Sequence, residues 1–374
     1  MANIHHSQRA FFMKKHYMIG GLFLVVGIIG LLVCIGNQQF YDTGKDYKKS
    51  WQLSQHELTE LTVKSSKNVT VQLERGDGKQ IVITASGNLS AKEKTDVKGI
   101  VPHAGKFSLT IGTPHHWLEK WHRPLYTSQK VIVQLPKGVE LSKIALELKK
   151  GNIRIDQVTG EQLDVKIESG DIQGNKGAFQ TTRIDAENAQ VDLTEWHGTT
   201  MLSSETGNQI VKDSTGDLTL QNQVGMSQVH RHHGEKSEIF NMAGKIVATE
   251  SNIRKLIVNS IKGTAIIEGL QGKLLLNTND GKSVLRDNLG SQIVRSKNGD
   301  VIIAQSQKGK MLDIASESGL IKLTLNPVYQ QARLKIHAPH GHIASDLLWS
   351  KNAKQPVINL RTKDGEIKVL EKNK

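Results

Sequence analysis

The chain has 374 residues with 49 Lys and Arg against 36 Asp and Glu, a formal charge of +13, 34 Gly, 7 Pro and one cysteine. A single cysteine excludes a disulfide scaffold, so stability has to come from packing and backbone pairing. High glycine with 5% aromatics favours one elongated repeat domain over two or three ordinary ones, because repeats escape the size limit on a single core.

Residues 1–16 carry Arg9, Lys14 and Lys15 and no acid, and an uncharged apolar run follows over 17–35. As a helix that run spans roughly 28 Å, one bilayer crossing. The basic residues ahead of it predict a cytoplasmic N-terminus and an extracellular bulk, a single pass through the cell membrane. A cleaved signal peptide needs small residues at its cleavage site, and Val33, Cys34 and Ile35 supply them poorly, so the run reads as an uncleaved signal-anchor. Residues 36–52, with Phe40, Tyr41, Tyr47 and Trp51 among lysines, read as a juxtamembrane linker.

Residues 53–140 alternate apolar and polar positions irregularly and predict a β-rich entry region that caps a longer repeat. Between its strands lies 112–126, which concentrates His115, His116, Trp117, Trp121, His122 and Tyr126 in a chain poor in aromatics. These six form a possible partner-binding loop, since Trp and Tyr give contact area at low entropic cost. The structural alternative is that Trp117 and Trp121, four apart, make one face of a short capping helix. No cysteine or tight carboxylate set completes a zinc site there, so no metal is assigned.

From 141 to 374 a unit of 18 or 19 residues recurs. Gly151, Gly170, Gly207, Gly225, Gly244, Gly263, Gly281, Gly299, Gly319, Gly341 and Gly365 hold its register, with Ala189 once in glycine's place. Five residues before this column, all twelve units are apolar, from Leu146 and Val165 through Val258 and Leu276 to Ile336 and Leu360. Most units are apolar again four residues after it. Each unit is therefore two short strands with alternate residues inward, separated by a turn whose glycine permits positive φ. Antiparallel hairpins fit that pattern, and the turn Lys363, Asp364, Gly365 encourages them. Stacked coils fit it better, because they must repeat one residue type at one angle. The fold class is all-β, a parallel β-solenoid of about 18–20 residues per coil, preceded by one transmembrane helix. Small polar residues three before the glycine, such as Ser204, Asn222 and Asn241, suit a stacked turn ladder. Extra residues around 326–331 and 347–356 predict loops on one face.

A second histidine cluster, His230, His232 and His233, reads as a solvated turn, with Trp196 and His197 at a similar place two units earlier. His197 and His233 fall two coils apart, roughly 9–10 Å, too far to share a metal. Asp171, Asp217 and Asp300 beside turns are the scattered carboxylates from which an enzyme on acidic cell-surface polysaccharide would have to build an acid and base pair. No nucleophile elbow, phosphate loop or dinucleotide fingerprint stands in a convincing context, so no catalytic residue and no cofactor is assigned.

The run from Val131 to Pro136, a strand ending in Leu-Pro, leads into IALELKKGNIRI and the repeated Leu-x-Val-x-x-x-x-Gly-x-Ile units. It resembles the bacterial putative-adhesin family of β-strand-repeat proteins, which includes LiaG-like membrane proteins of Gram-positive bacteria. The resemblance covers roughly 53–374 and implies a surface-exposed, non-catalytic solenoid, of a family sometimes encoded near envelope-stress signalling systems. It brings no binding or catalytic residues. The expected function is therefore a non-catalytic scaffold of the cell envelope. The +10 that remains beyond the three leading basic residues points to anionic wall polymers or an anionic lipid surface, and the resemblance adds an envelope-stress signalling protein. Nucleic acid is disfavoured, since the lysines are spread along strands.

Overall fold

The computed structural model describes residues 45–89, 91–112, 129–306, 309–329, 332–346 and 356–371. The segment 17–35 and the Trp-His loop at 113–128 lie outside them, and among the described residues no helix is long and apolar enough to cross a membrane. The chain opens with β1 (Lys45–Leu53), β2 (Glu60–Gly76), β3 (Ile81–Leu89), helix α1 (Ala91–Lys98), β4 (Lys106–Ile111) and β5 (Gln129–Pro136). The body comprises β6 (Leu141–Asp156), β7 (Thr159–Asn175), β8 (Ala178–Thr194), β9 (His197–Thr206), β10 (Gln209–Lys212), β11 (Leu218–His230), β12 (His233–Thr249), β13 (Asn252–Glu268) and β14 (Gln271–Arg286). Shorter strands finish it: β15 (Ser291–Ser296), β16 (Val301–Gln305), β17 (Met311–Ser316), β18 (Leu320–Leu325), β19 (Arg333–His337), β20 (His342–Ser345), β21 (Val357–Thr362) and β22 (Glu366–Glu371).

Successive coils pair in parallel and in register, Leu146 with Val165, Val165 with Ile184, Leu220 with Ile239 and Val258 with Leu276, so the fold is a β-solenoid and not a row of hairpins. Alternation along each strand turns one side chain in two inward, and the whole column from Leu146 to Ile314 is buried. The glycine column is equally continuous. Gly170 has φ +145°, and a Cβ there would overlap the carbonyl oxygen of Gly151 one coil away. Neither Ala189 nor Asn188 has positive φ, so that coil turns the corner without a left-handed residue. The polar column three residues earlier is buried and serves this corner: the Asn222 and Asn241 amides donate to the carbonyls of Gly207 and Gly225 at 2.9 and 3.0 Å.

A second corner carries no glycine signature. Six residues after the glycine column stand Gln157, Lys176, Glu195, Asp213, Arg231, Glu250 and Asp287, all with φ between 48° and 55°, with a glycine, Gly269, only once among them. Their amides still donate up the stack, as Lys176 N does to Thr194 O at 3.0 Å and Glu250 N to Glu268 O at 2.9 Å. An unbroken ladder therefore holds seven ordinary side chains in a left-handed conformation that costs each about 1 kcal/mol.

The coils do not stack in chain order at either end. β2 lies between the level made by β4 and β5 and the level of β6, so residues before 140 already belong to the parallel stack. β3 closes that end antiparallel to β5, and β1 pairs with β3. At the far end β21 and β22 pair with β17 and β18, while β19 and β20, earlier in the chain, lie outside them. Of the extra residues at 326–331 and 347–356, the described ones are 326–329, where Pro327–Tyr329 forms a short 3-10 turn after β18, and Pro356 ahead of β21. The cause of this stacking order is hydrophobic: Ile358, Leu360, Ile367 and Val369 are wholly buried, whereas the coil with His337, His340 and His342 leaves Leu334 and Ile336 half-buried. The more apolar coil takes the interior level.

The two corners should respond oppositely to substitution. Gly170→Ala is expected to lower stability by several kcal/mol through the overlap with Gly151 O, whereas Lys176→Gly should be neutral or raise it by up to about 1 kcal/mol. Denaturant midpoints of the two variants check this, and a similar loss in both would contradict the corner assignment.

Candidate functional site

The six candidate residues of the Trp-His loop lie outside the described residues, which place only the flanks: Gly112, with φ +81°, after β4, and Gln129 at the start of β5. The other sequence candidates are all on the stack. His197 Nδ1 lies 2.7 Å from Thr215 Oγ1, and Thr215 bridges in turn to His233, so the two histidines are two levels apart as expected. Among the described residues no group of three His, Cys, Asp or Glu could hold a metal.

His232 corrects the reading of its cluster as a solvated turn. Arg231 occupies the left-handed corner and points outward, so the next side chain turns in, and His232 is only 2% exposed. Its column runs Val158, Gly177, Trp196, Ser214, His232, Ser251, Leu270, Asn288. Trp196 fills the space a side chain at Gly174 or Gly177 would need, stacks on Phe179 at 5.6 Å and donates Nε1–H to Thr182 Oγ1 at 3.0 Å. The His232 ring contacts Ser214 Oγ through Nδ1 at 2.8 Å, and its backbone amide donates to Ser251 Oγ at 3.2 Å. Burial pushes the imidazole down from 6.5 to about 4; His233 adds repulsion, while the Gly216 and Ser214 backbone and Asp217 resist. Trp196 and His232 are thus parts of the core.

The carboxylates do not converge either. Asp217 accepts from the backbone amide of Lys236 at 3.0 Å, and Asp300 from that of Leu320 at 2.9 Å, each tying one coil to the next. Asp171 is exposed on the other side of the glycine corner from the Asp217 level. Asp213 is held below the usual carboxylate range by its hydrogen bond to Arg231, and Glu57 by the Ser54 backbone, the reverse of what a general acid needs.

What the fold offers instead is an extended outer surface. A shallow groove of about 940 Å³ runs along the rod from Thr110 to Met242, crossing one strand of each coil just before the glycine corner. One of its columns alternates in charge, Lys64, Glu147, Lys166, Asp185, with Lys64 and Glu147 paired at 2.8 Å. Another stacks Glu168, Glu187 and Glu205. Sequence reasoning missed this surface, although spacing these residues against the glycine column would have aligned them.

The class the fold defines is an all-β parallel solenoid whose core repeats level by level. The family model of Toastrack DUF4097 matches residues 58–370, and the chain belongs to that family. No curated protein matches it. Among solved structures, a putative adhesin from Parabacteroides distasonis ATCC 8503 shares 13% identity over 73% of this chain and 97% of its own, with a TM-score of 0.33. A putative cell adhesion protein from Clostridium sporogenes ATCC 15579 shares 8% identity over 88% of this chain and all of its own, with a TM-score of 0.22.

The buried histidine makes stability depend on acid. Its folded pKa is depressed, so between about pH 6.5 and 4 the unfolded chain binds a proton that the fold refuses. Stability is full above that window and falls through it by up to about 3 kcal/mol. Denaturant midpoints at pH 7 and pH 4.5 should differ more for the natural chain than for His232→Gln. An equal difference would place His232 in contact with water.

Proposed function

We propose that this protein is a non-catalytic binding scaffold of the cell envelope, held to the membrane by residues 17–35 with its N-terminus in the cytoplasm and its solenoid outside. The observation that carries the reading is the repetition of the outer surface: level after level presents a side chain at the same place, which suits a repeating or extended partner. Membership of the Toastrack family supports the solenoid on which the reading rests. The excess of positive charge favours anionic wall polymers or an anionic lipid surface over neutral partners. An envelope-stress signalling protein is a second class of partner, for which the aromatic loop at 112–126 is the candidate contact.

The competing reading is an enzyme on acidic cell-surface polysaccharide. Full-length protein in neutral detergent, offered a panel of wall polymers, acidic glycans and phosphatidylglycerol vesicles, should retain one or more of them. Retention should weaken steeply between low and physiological salt, and no new reducing or unsaturated ends should appear. Product formation would overturn the scaffold, and the absence of retention would remove the anionic partners and leave the protein partner.

A further inference from the structure

Charges on neighbouring coils generally oppose one another. Lys64 meets Glu147 at 2.8 Å, Lys143 meets Asp164 at 3.3 Å and Arg295 meets Asp313 at 2.6 Å, each across one step of the stack. Like charges stack in a few places, at Glu168, Glu187 and Glu205 and at Lys322 with Lys368, and one basic column runs through three successive coils. Lys236, Lys255 and Lys273 are register partners on β12, β13 and β14, stacked about 4.8 Å apart and all exposed. Lys236 is tied to Glu238 of its own strand at 2.6 Å, while Lys255 and Lys273 have no ion pair among the described residues. Like charges directly opposed on a sheet are destabilising. Two further columns run beside Lys255 and Lys273 on the same outer face: the half-buried aliphatic side chains Ile257, Leu275 and Ile293, and the amides of Asn259 and Asn277, joined at 2.9 Å; on β12 their register partners are Glu238 and Phe240, so all three columns coincide on β13 and β14. From lysine to amide the strip is about 13 Å wide.

We propose that this face of β12 to β15 is a track for a linear polyuronic acid, a glycan with one carboxylate per sugar, lying along the rod axis. The inference rests on the binding-scaffold reading and adds the polymer and its place. Carboxylates would relieve the lysine repulsion, the C–H face of each ring would cover the aliphatic column, and hydroxyls would meet the amides. Three chemistries side by side match an acidic sugar, whereas a polyphosphodiester supplies the charge and nothing ring-shaped for Ile257, Leu275 and Ile293. The stacked Glu168, Glu187 and Glu205 lie further down the rod and repel the same polymer, which confines it to the basic end.

The test titrates labelled oligogalacturonate, and separately poly(glycerol phosphate) of matched charge, against full-length protein in neutral detergent. Lys255→Glu with Lys273→Glu should weaken oligogalacturonate about tenfold or more. Lys245→Glu with Lys282→Glu, the same charge change on exposed positions beyond the glycine corner, should change it less than about twofold. Leu275→Ser should weaken oligogalacturonate about threefold and leave poly(glycerol phosphate) unaffected, with thermal unfolding confirming that each variant is folded. Equal loss in both double variants would sink the track and leave a generic anion-binding scaffold standing. Tighter binding of poly(glycerol phosphate), or indifference of oligogalacturonate to Leu275→Ser, would overturn the glycan. Failure of the natural protein to bind either polymer would remove both the track and the anionic-polymer reading beneath it.

Discussion

The distance from each glycine to the coil beside it governs the whole molecule. At Gly151, Gly170, Gly207, Gly225, Gly244, Gly263 and Gly281 the backbone is left-handed, and the carbonyl of the neighbouring level sits where a Cβ would be. No slip of register brings a bulkier residue there without a clash. Since a one-residue slip also sends every inward side chain to solvent, the corner and the core enforce the same alignment. Everything outside the core inherits it, because an in-register stack turns any outward position into a column.

Columns make function a matter of surfaces. A pair of residues nineteen apart becomes a pair of neighbours, and charge patterns invisible along the chain become ladders across it. Most ladders tie one coil to the next, as Asp217 does with the Lys236 amide and Asp313 with both Arg295 and Arg361. The columns that do not are the ones the proposed partner would meet.

The core was legible because period and chemistry agree there: the apolar column five residues before the glycine needs no alignment beyond counting. The corner six residues after it was not, since Gln157, Lys176, Glu195 and Arg231 give no hint of positive φ and are held there by the ladder. His232 was misjudged for the same reason. A hidden corner at Arg231 reverses which neighbour faces inward, although Val158, Trp196 and Leu270 in that column carried an apolar signal. The exchanged coils at the far end escaped because counting units along a chain assumes that they stack in that order. The half-polar character of Arg333–His337 beside the apolar Val357–Thr362 was the available clue.

The alignment of levels can be read directly by cross-linking. In a Cys34→Ser background, cysteines at Ala315 and Arg361, which are register partners about 4.8 Å apart, should form a disulfide rapidly under mild oxidation. Cysteines at Ala315 and His337, separated by the intervening Arg361, should not. Rapid bridging of Ala315 to His337, with none to Arg361, would mean that the coils stack in chain order, and would contradict the register and burial described for the stack.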